Sequence, residues 1–310
     1  MALDKTHKQL NAPIQAWIHA FRLRTLPLAF SSIITGSFLA WAQEGFSGVV
    51  LALALSTTLF LQILSNLAND YGDSEKGTDN HERIGPVRAV QSGAISLQQM
   101  KKGMWLFAAL SLISGLGLLY VGTKNMGAAG FTGFLMLGLL AIAAAIMYTV
   151  GKKAYGYLGL GDIFVFVFFG LTGVCGTFYL HTHVWNPAVL LPAATIGLLS
   201  VAVLNLNNMR DREADARAGK RTLAVRLGND GSRKYHVAVL VIALTAAIVF
   251  SWLNGGSYWQ FIYLITAAPI LSNIRLVMAY ENPSELDPEL KKIALTTFLF
   301  SITFGLGLLF

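Results

Sequence analysis

GVVLALALSTTLFLQILSNLANDYGDSEKGTD, residues 48–79, runs an apolar stretch straight into three aspartates and a glutamate. Its apolar part is about twenty residues long, the length that spans the hydrocarbon core of a bilayer as a helix. The same kind of stretch recurs along the chain, near 26–42, 48–68, 103–121, 128–148, 162–180, 187–208, 235–253, 258–279 and 293–310. Of the 310 residues 55% are hydrophobic and only 13% charged, with a mean hydropathy of +0.57. A soluble domain carries about a quarter charged residues. The expectation is an all-α integral membrane protein of nine transmembrane helices, forming one domain over 1–310. Continuous rather than alternating apolarity excludes a transmembrane β-barrel.

The basic residues give an orientation. Of the 23 Lys and Arg, 21 fall in the N-terminal segment and in the loops after spans 2, 4, 6 and 8. Lys124 alone lies on the other side, and Arg275 lies inside span 8. The positive-inside rule then places the N-terminus and those loops in the cytoplasm, so the expected location is the cell inner (cytoplasmic) membrane. The net charge of +7 needs no nucleic acid; membrane lipid headgroups and an anionic substrate account for it. The first 25 residues lack the apolar core of a signal peptide. Within them Ile14, Trp17, Ile18 and Phe21 have helical spacing, so 11–23 is either an amphipathic helix on the membrane surface or a plain leader to the first span. The single cysteine, Cys175, lies in span 5 and rules out a disulfide framework.

Nine of the 16 acidic residues fall in two loops, after spans 2 and 6. Both helix ends are rich in asparagine: Asn66-Leu67-Ala68-Asn69 and Asn205-Leu206-Asn207-Asn208. Four spans separate them, which hints at a pseudo-repeat of four helices. Asp70 and Asp73 are three apart and Asp211 and Asp215 four apart, so each pair shares a face if the helix continues. Like charges so placed repel unless a cation lies between them, and oxygen-only ligands suit Mg²⁺. Lys76, Arg83 and Arg88 interleave with the first acids, and Arg210, Arg212, Lys220 and Arg221 with the second. Carboxylates, Mg²⁺ and basic side chains together hold a diphosphate. An ordinary solvated loop is the plain alternative for either stretch. Two alike, each led by asparagines that an apolar helix has little other reason to carry, weigh against it.

NDYGD at 69–73 and NNMRDREAD at 207–215 resemble the two signatures of the UbiA superfamily of intramembrane aromatic prenyltransferases, and nine helices with a cytoplasmic-side active site resemble its architecture. Within it RLRTLPLAF at 22–30, GPVRAVQSG at 85–93, YTVGKKAYGYLGLGD at 148–162 and NNMRDREADARAGKRTLAVRLG at 207–228 resemble the 1,4-dihydroxy-2-naphthoate polyprenyltransferase (MenA) group. One departure is that Gly77 stands where many relatives have a third aspartate, with Asp79 two residues later. The resemblance implies transfer of a polyprenyl group from polyprenyl diphosphate to 1,4-dihydroxy-2-naphthoate, with decarboxylation and Mg²⁺ as cofactor.

It also implies roles. Asp70, Asp73, Asp211 and Asp215 would bind Mg²⁺, with Asn66, Asn69, Asn207 and Asn208 as ligands or supports. Arg83, Arg88, Lys152, Arg210, Lys220 and Arg221 would bind diphosphate. Tyr148, on a helix face shared with Lys152, would stand near the reactive carbon, where a ring face stabilises a cation; a membrane-interface tyrosine is the other reading. Asp162 either handles an acceptor hydroxyl or caps its helix. Arg22 and Arg24 reach either an acceptor carboxylate or lipid headgroups.

Two readings from other classes compete. An ion-coupled transporter would place its carboxylates near the membrane midplane, whereas these cluster at one face. A CDP-alcohol phosphotransferase needs an Asp-Gly pair before Ala-Arg, and Asp215-Ala216-Arg217 lacks the glycine. Inside the superfamily a 4-hydroxybenzoate or homogentisate prenyltransferase would share the diphosphate apparatus and differ in the acceptor pocket.

Overall fold

The computed structural model describes residues 14–78, 84–255 and 257–310. Among these, nine helices are long and apolar enough to cross a membrane, and no strand forms. They are α1 (Ile14–Ala42), α2 (Gly48–Glu75), α3 (Leu97–Gly122), α4 (Gly127–Met147), α5 (Gly161–Thr182), α6 (Pro187–Arg210), α7 (Leu223–Leu253), α8 (Tyr258–Ala279) and α9 (Pro283–Leu308). The chain is a multi-pass membrane protein.

Several helices begin well before their apolar stretch, because local caps start them among charged residues. Ser96 and Gln99 form a capping box for α3, and Asn282 and Glu285 do so for α9. The Thr222 side chain caps α7, which then bends at Gly228 (φ 70°). Each cap satisfies amide donors that the first turn leaves open.

The segment 14–21 continues into α1 through a kink at Arg22, whose backbone is left-handed (φ 49°, ψ 51°). Trp17 and Phe21 turn onto α2 and α3, with Phe21 edge-on to Phe107 at 5.2 Å and Gly103 tight against the Trp17 ring. Ile14 and Ile18 stay exposed. The expected surface helix thus exists as a half-docked arm of α1.

α6 is the hub: 67% of its apolar window is buried, against none of that of α4. It packs on α1, α5, α7 and α9, while α4 leans on α2 and α3. Gly170 and Gly197 let α5 and α6 cross closely, since a side chain at either would strike the partner backbone. The middle of α5, Phe166–Gly176, is wound as a π-helix. In α7–α9 a buried chain of bonds runs from His236 Nε2 to Asn273 Oδ1 (2.8 Å) and from Asn273 Nδ2 to Glu289 Oε2 (2.7 Å). Interhelical polar contacts of this kind register helices in an apolar medium.

The two ends of the bundle differ. One carries the acidic motifs. At the other, Trp41, Trp185, Trp252 and Trp259 are exposed, as in an aromatic belt at a membrane interface. There His181 Nδ1 accepts from the Ser47 amide (3.1 Å), so Nε2 carries the proton that Ser37 Oγ accepts (2.9 Å).

Candidate active site

A cavity of about 470 Å³ is lined by α1 to α6 and by Leu290 of α9. Its mouth lies at the acidic end, with Arg22, Asn69, Asp73, Arg88, Tyr148, Asn207 and Lys220 around it. From there it descends along α5 from Phe164 to Leu180, roughly 20 Å by helical rise. The lower walls are mostly leucines, phenylalanines and glycines, with hydroxyls of Thr57, Thr58, Ser111 and Thr172 among them.

The mouth forms because α2 runs past its apolar part to Glu75, keeping Asp70 and Asp73 helical. Gly72 lies so close to Thr149 that a Cβ there would come within 2.7 Å of its backbone. That approach docks the turn after α4 onto the end of α2. Thr149 Oγ1 donates to the Ala68 carbonyl (2.8 Å), and Lys76 Nζ donates to the Thr149 carbonyl (2.7 Å).

Asp73 is almost fully buried. Arg88 pairs with its Oδ2 at 2.8 Å and the Tyr157 hydroxyl donates to its Oδ1 at 2.8 Å. Since that hydroxyl donates to Asp73, it accepts from Thr78 Oγ1 (2.5 Å). Asp70 pairs with Arg22, and Arg88 stands 3.6 Å from it. Arg88 also donates to the Asn69 carbonyl (2.8 Å).

The second motif is built otherwise. α6 ends at Arg210, Asp211 bridges to a short helix Arg212–Arg217, and the Asp215 amide still bonds the Asp211 carbonyl (2.8 Å). Arg210 grips both Asp211 oxygens (3.0 and 2.7 Å), Asn207 Oδ1 (2.8 Å) and Asp287 (2.5 Å). It borders a smaller cavity of about 220 Å³ outside the main one.

Lys220 joins the two motifs. Its ammonium is 3.6 Å from Asp215 Oδ1 and 5.5 Å from the centre of the Tyr157 ring. Burial alone would lower its pKa; Asp73 and Asp215 outweigh burial and raise it, so it stays charged. Burial pushes the Asp215 carboxyl up to about 6 against the pull of Lys220, with Asp211 and Asp73 adding to the rise. Burial likewise raises Tyr148 to about 12.

Below the mouth an aromatic row descends the wall. Tyr148 meets Tyr155 edge-on at 5.3 Å, Tyr155 stacks on Phe164 at 3.9 Å, and Phe168 follows at 6.2 Å. Tyr155 is fixed by its bond to the Ala144 carbonyl (2.9 Å).

Of the residues expected from the motifs, Asn66, Asn69, Asp73, Arg88, Tyr148, Asn207 and Lys220 meet at the cavity, with Asp70 and Asp215 just behind. Asn208 is buried beside the second motif. Others lie elsewhere. Asp211 and Arg210 hold each other away from the main cavity. Arg221 is exposed, and its backbone amide bonds the Tyr157 carbonyl (3.0 Å). Asp162 is buried and accepts from the Tyr235 hydroxyl (3.1 Å). Lys152 is exposed and does not share a helix face with Tyr148: α4 ends at Met147, and Tyr148 is its cap. Arg83 and Asp79 lie outside the described residues. Tyr155, Tyr157 and Thr78 join the site with no motif to mark them, and Arg22, expected at an acceptor carboxylate or at lipid headgroups, pairs with Asp70. Tyr157 and Tyr155 sit in the noted stretch 148–162, but nothing in their spacing points to Asp73 or to a cavity.

Among the described residues no three His, Cys, Asp or Glu side chains gather closely enough to hold a metal. The donor set nevertheless fits a hard divalent ion. Asp73 and Asp215 flank one lysine, and Asp215 Oδ2 and Asn208 Oδ1 are buried without a hydrogen-bond partner. Buried oxygens left so are costly unless a ligand completes them.

The UbiA prenyltransferase family model matches residues 29–304. The chain is 46% identical over 307 residues to a 1,4-dihydroxy-2-naphthoate octaprenyltransferase of Haemophilus influenzae, covering 98% of this chain and 99% of that one. It is 46% identical over 303 residues to the protein of that name from Escherichia coli, with 98% and 97% covered. A solved UbiA homolog from Archaeoglobus fulgidus, bound to GPP and Mg²⁺, shares the fold at a TM-score of 0.60 and 16% identity, over 92% of this chain and 99% of that one. The chain belongs to the UbiA prenyltransferase family.

Proposed function

We propose that this member of the UbiA prenyltransferase family transfers a polyprenyl group from polyprenyl diphosphate to 1,4-dihydroxy-2-naphthoate with loss of CO₂, giving demethylmenaquinol for menaquinone synthesis. The observation that carries prenyl transfer is the cavity, whose charged mouth opens onto a long apolar interior. A diphosphate with an apolar tail has that same division. The acceptor is supported by the names of the two relatives at 46% identity.

Bound at the mouth, Mg²⁺ would neutralise diphosphate oxygens and ease departure of the leaving group. Asp73 and Asp215, with Asn69, Asn207 and Asn208, would hold it. Arg88 and Lys220 donate to the remaining oxygens. As the allylic C–O bond breaks, its electron pair leaves with the diphosphate. Tyr148 and Tyr155 then face the positive carbon with their rings. A ring carbon of the acceptor forms the new C–C bond, and the carboxylate departs as CO₂. The leucines and phenylalanines below keep out water, which would otherwise trap the cation as an alcohol.

The same reading places the mouth at the cytoplasmic face of the inner membrane with the N-terminus on that side, supported by the 21 of 23 basic residues there. It also treats α2 and α6 as corresponding members of a four-helix pseudo-repeat, supported by their matching Asn-to-Asp ends.

The test uses purified protein in detergent with Mg²⁺, a polyprenyl diphosphate and carboxyl-labelled 1,4-dihydroxy-2-naphthoate, with 4-hydroxybenzoate in parallel. Mg²⁺-dependent product with release of labelled CO₂ is expected. Product from 4-hydroxybenzoate alone overturns the acceptor, and no product from either overturns the reaction.

A further inference from the structure

One wall of the cavity is polar well below the diphosphate end, and the scheme above gives it no task. It is formed by Thr25 of α1 and by Gln62, Ser65 and Asn66 of α2. Gln62 precedes Asp73 by eleven residues, about three turns deeper along α2. Polar groups at that depth are expensive unless they are paired or serve a ligand.

The kink at Arg22 explains half of this wall. A left-handed residue inside a helix frees carbonyls that the regular ladder would have used. Thr25 Oγ1 donates to the Arg22 carbonyl (2.9 Å), and Asn66 Nδ2 donates to the Phe21 carbonyl (2.9 Å). Thr25 Oγ1 also accepts from Gln62 Nε2 (3.0 Å) and from Asn66 Nδ2 (3.2 Å). The threonine hydroxyl therefore has its proton and both lone pairs committed.

Asn66 thus spends both N–H groups on α1 and Gln62 one of its two, which sets the way each amide faces. Their oxygens are left over. Gln62 Oε1 and Asn66 Oδ1 accept from no described residue, and both side chains line the cavity. This patch presents two amide oxygens that lack a donor, beside one N–H of Gln62. Neither a polyprenyl chain nor an ionised diphosphate has a proton to give those oxygens. An aromatic acceptor with phenolic hydroxyls is the reactant that matches.

We infer that Gln62, aided by Asn66, binds a phenolic O–H of the aromatic acceptor and selects for it. This rests on the prenyl-transfer reading above and adds the acceptor's place in the cavity. A hydroxyl that donates to Gln62 Oε1 pushes electron density into its ring, which favours attack on the allylic carbon. Asn66, expected from its motif to serve the metal, has its amide nitrogen tied to the α1 kink, which leaves its oxygen as the ligand atom.

The test measures equilibrium binding of 1,4-dihydroxy-2-naphthoate and of its dimethyl ether to the full chain in detergent. Unmodified protein should favour the free hydroxyls. Gln62→Leu should shrink that preference about tenfold, the value of one hydrogen bond. It should leave the KM for polyprenyl diphosphate within about twofold, because the diphosphate end lies about three turns away. Gln62→Met serves as the second variant if the leucine protein does not fold. A preference that survives in both variants, or that unmodified protein never shows, overturns the inference. The prenyl-transfer reading fails separately, if unmodified protein binds the hydroxyaromatic yet makes no product when the diphosphate is added.

Discussion

Asp73 at the end of α2 and Asp211 at the end of α6 each leave an asparagine-rich helix, yet they draw their counter-charges from different distances along the chain. Asp73 is held by Arg88 and by Tyr157 from the loop after α4, and its neighbour Asp70 by Arg22 from the α1 kink. Asp211 is held by the adjacent Arg210, with Asn207 one turn back. The first end takes its shape only once α1 and two loops have docked. The second takes its nearest counter-charge from the adjacent residue, with Asp287 of α9 reaching the same arginine. Lys220, set against Asp215 and attracted by Asp73, is where the two meet.

If that division is right, removing Lys220 injures both ends. Lys220→Met leaves two buried carboxylates facing each other without their shared cation, a change worth about 3–5 kcal/mol. Prenyl transfer should fall by roughly a thousandfold, since about 1.4 kcal/mol is a factor of ten. The check is initial rate at saturating Mg²⁺, on protein that still elutes as a single species. Activity within about tenfold of the unmodified chain would break the idea that the lysine unites the motifs.

The next two arginines separate the ends. Arg88 touches Asp70, Asp73 and the Asn69 carbonyl, and lines the cavity. Arg210 serves Asp211 and Asp287 from outside it. Arg88→Met should therefore lower kcat/KM for the diphosphate by about a hundredfold, and Arg210→Met by about tenfold, as expected of charge-assisted bonds made inside and outside the site. Equal losses would mean that both ends contact the substrate alike.

Tyr157→Phe removes the hydrogen bond to Asp73 and the one accepted from Thr78, while keeping the ring under Lys76 and Lys220. A bond to a charged group is worth about 1.5–3 kcal/mol. The expected result is a loss of about tenfold, with a raised Mg²⁺ requirement. A purely structural tyrosine would lower heat stability and leave the Mg²⁺ titration where it was.

How far these contacts were legible beforehand follows from the same division. The nine spans were readable because about twenty apolar residues have few other uses. The starts of α3, α7 and α9 were not, since Ser96, Thr222 and Asn282 begin helices among charged residues that hydropathy discounts. Within the site, Asn69, Asp73 and Asn207 were readable from their spacing at helix ends. Tyr157 and Arg22 were not, because each meets the first motif across more than forty residues of chain. The kink at Arg22 left no trace at all, there being no glycine where the backbone turns left-handed.

Lys152 sharpens the comparison with the smallest effect. Its spacing from Tyr148 suggested one helix face, but α4 stops at Met147 and leaves Lys152 exposed in the turn. The lysine that feels the Tyr148 ring and the carboxylates is Lys220, which reaches the mouth from beyond the second motif. An exposed ammonium several residues from the nearest lining side chain contributes little to a diphosphate at the mouth, because solvent screens it. Lys152→Met should thus change the rate by less than about threefold, where Lys220→Met costs about a thousandfold. Steady-state rates of the two variants, with the polyprenyl diphosphate titrated, decide it. A loss beyond tenfold for Lys152→Met, confined to the KM for diphosphate, would show that the turn 148–153 folds over bound substrate, so that this loop too takes its final shape only with the ligand in place.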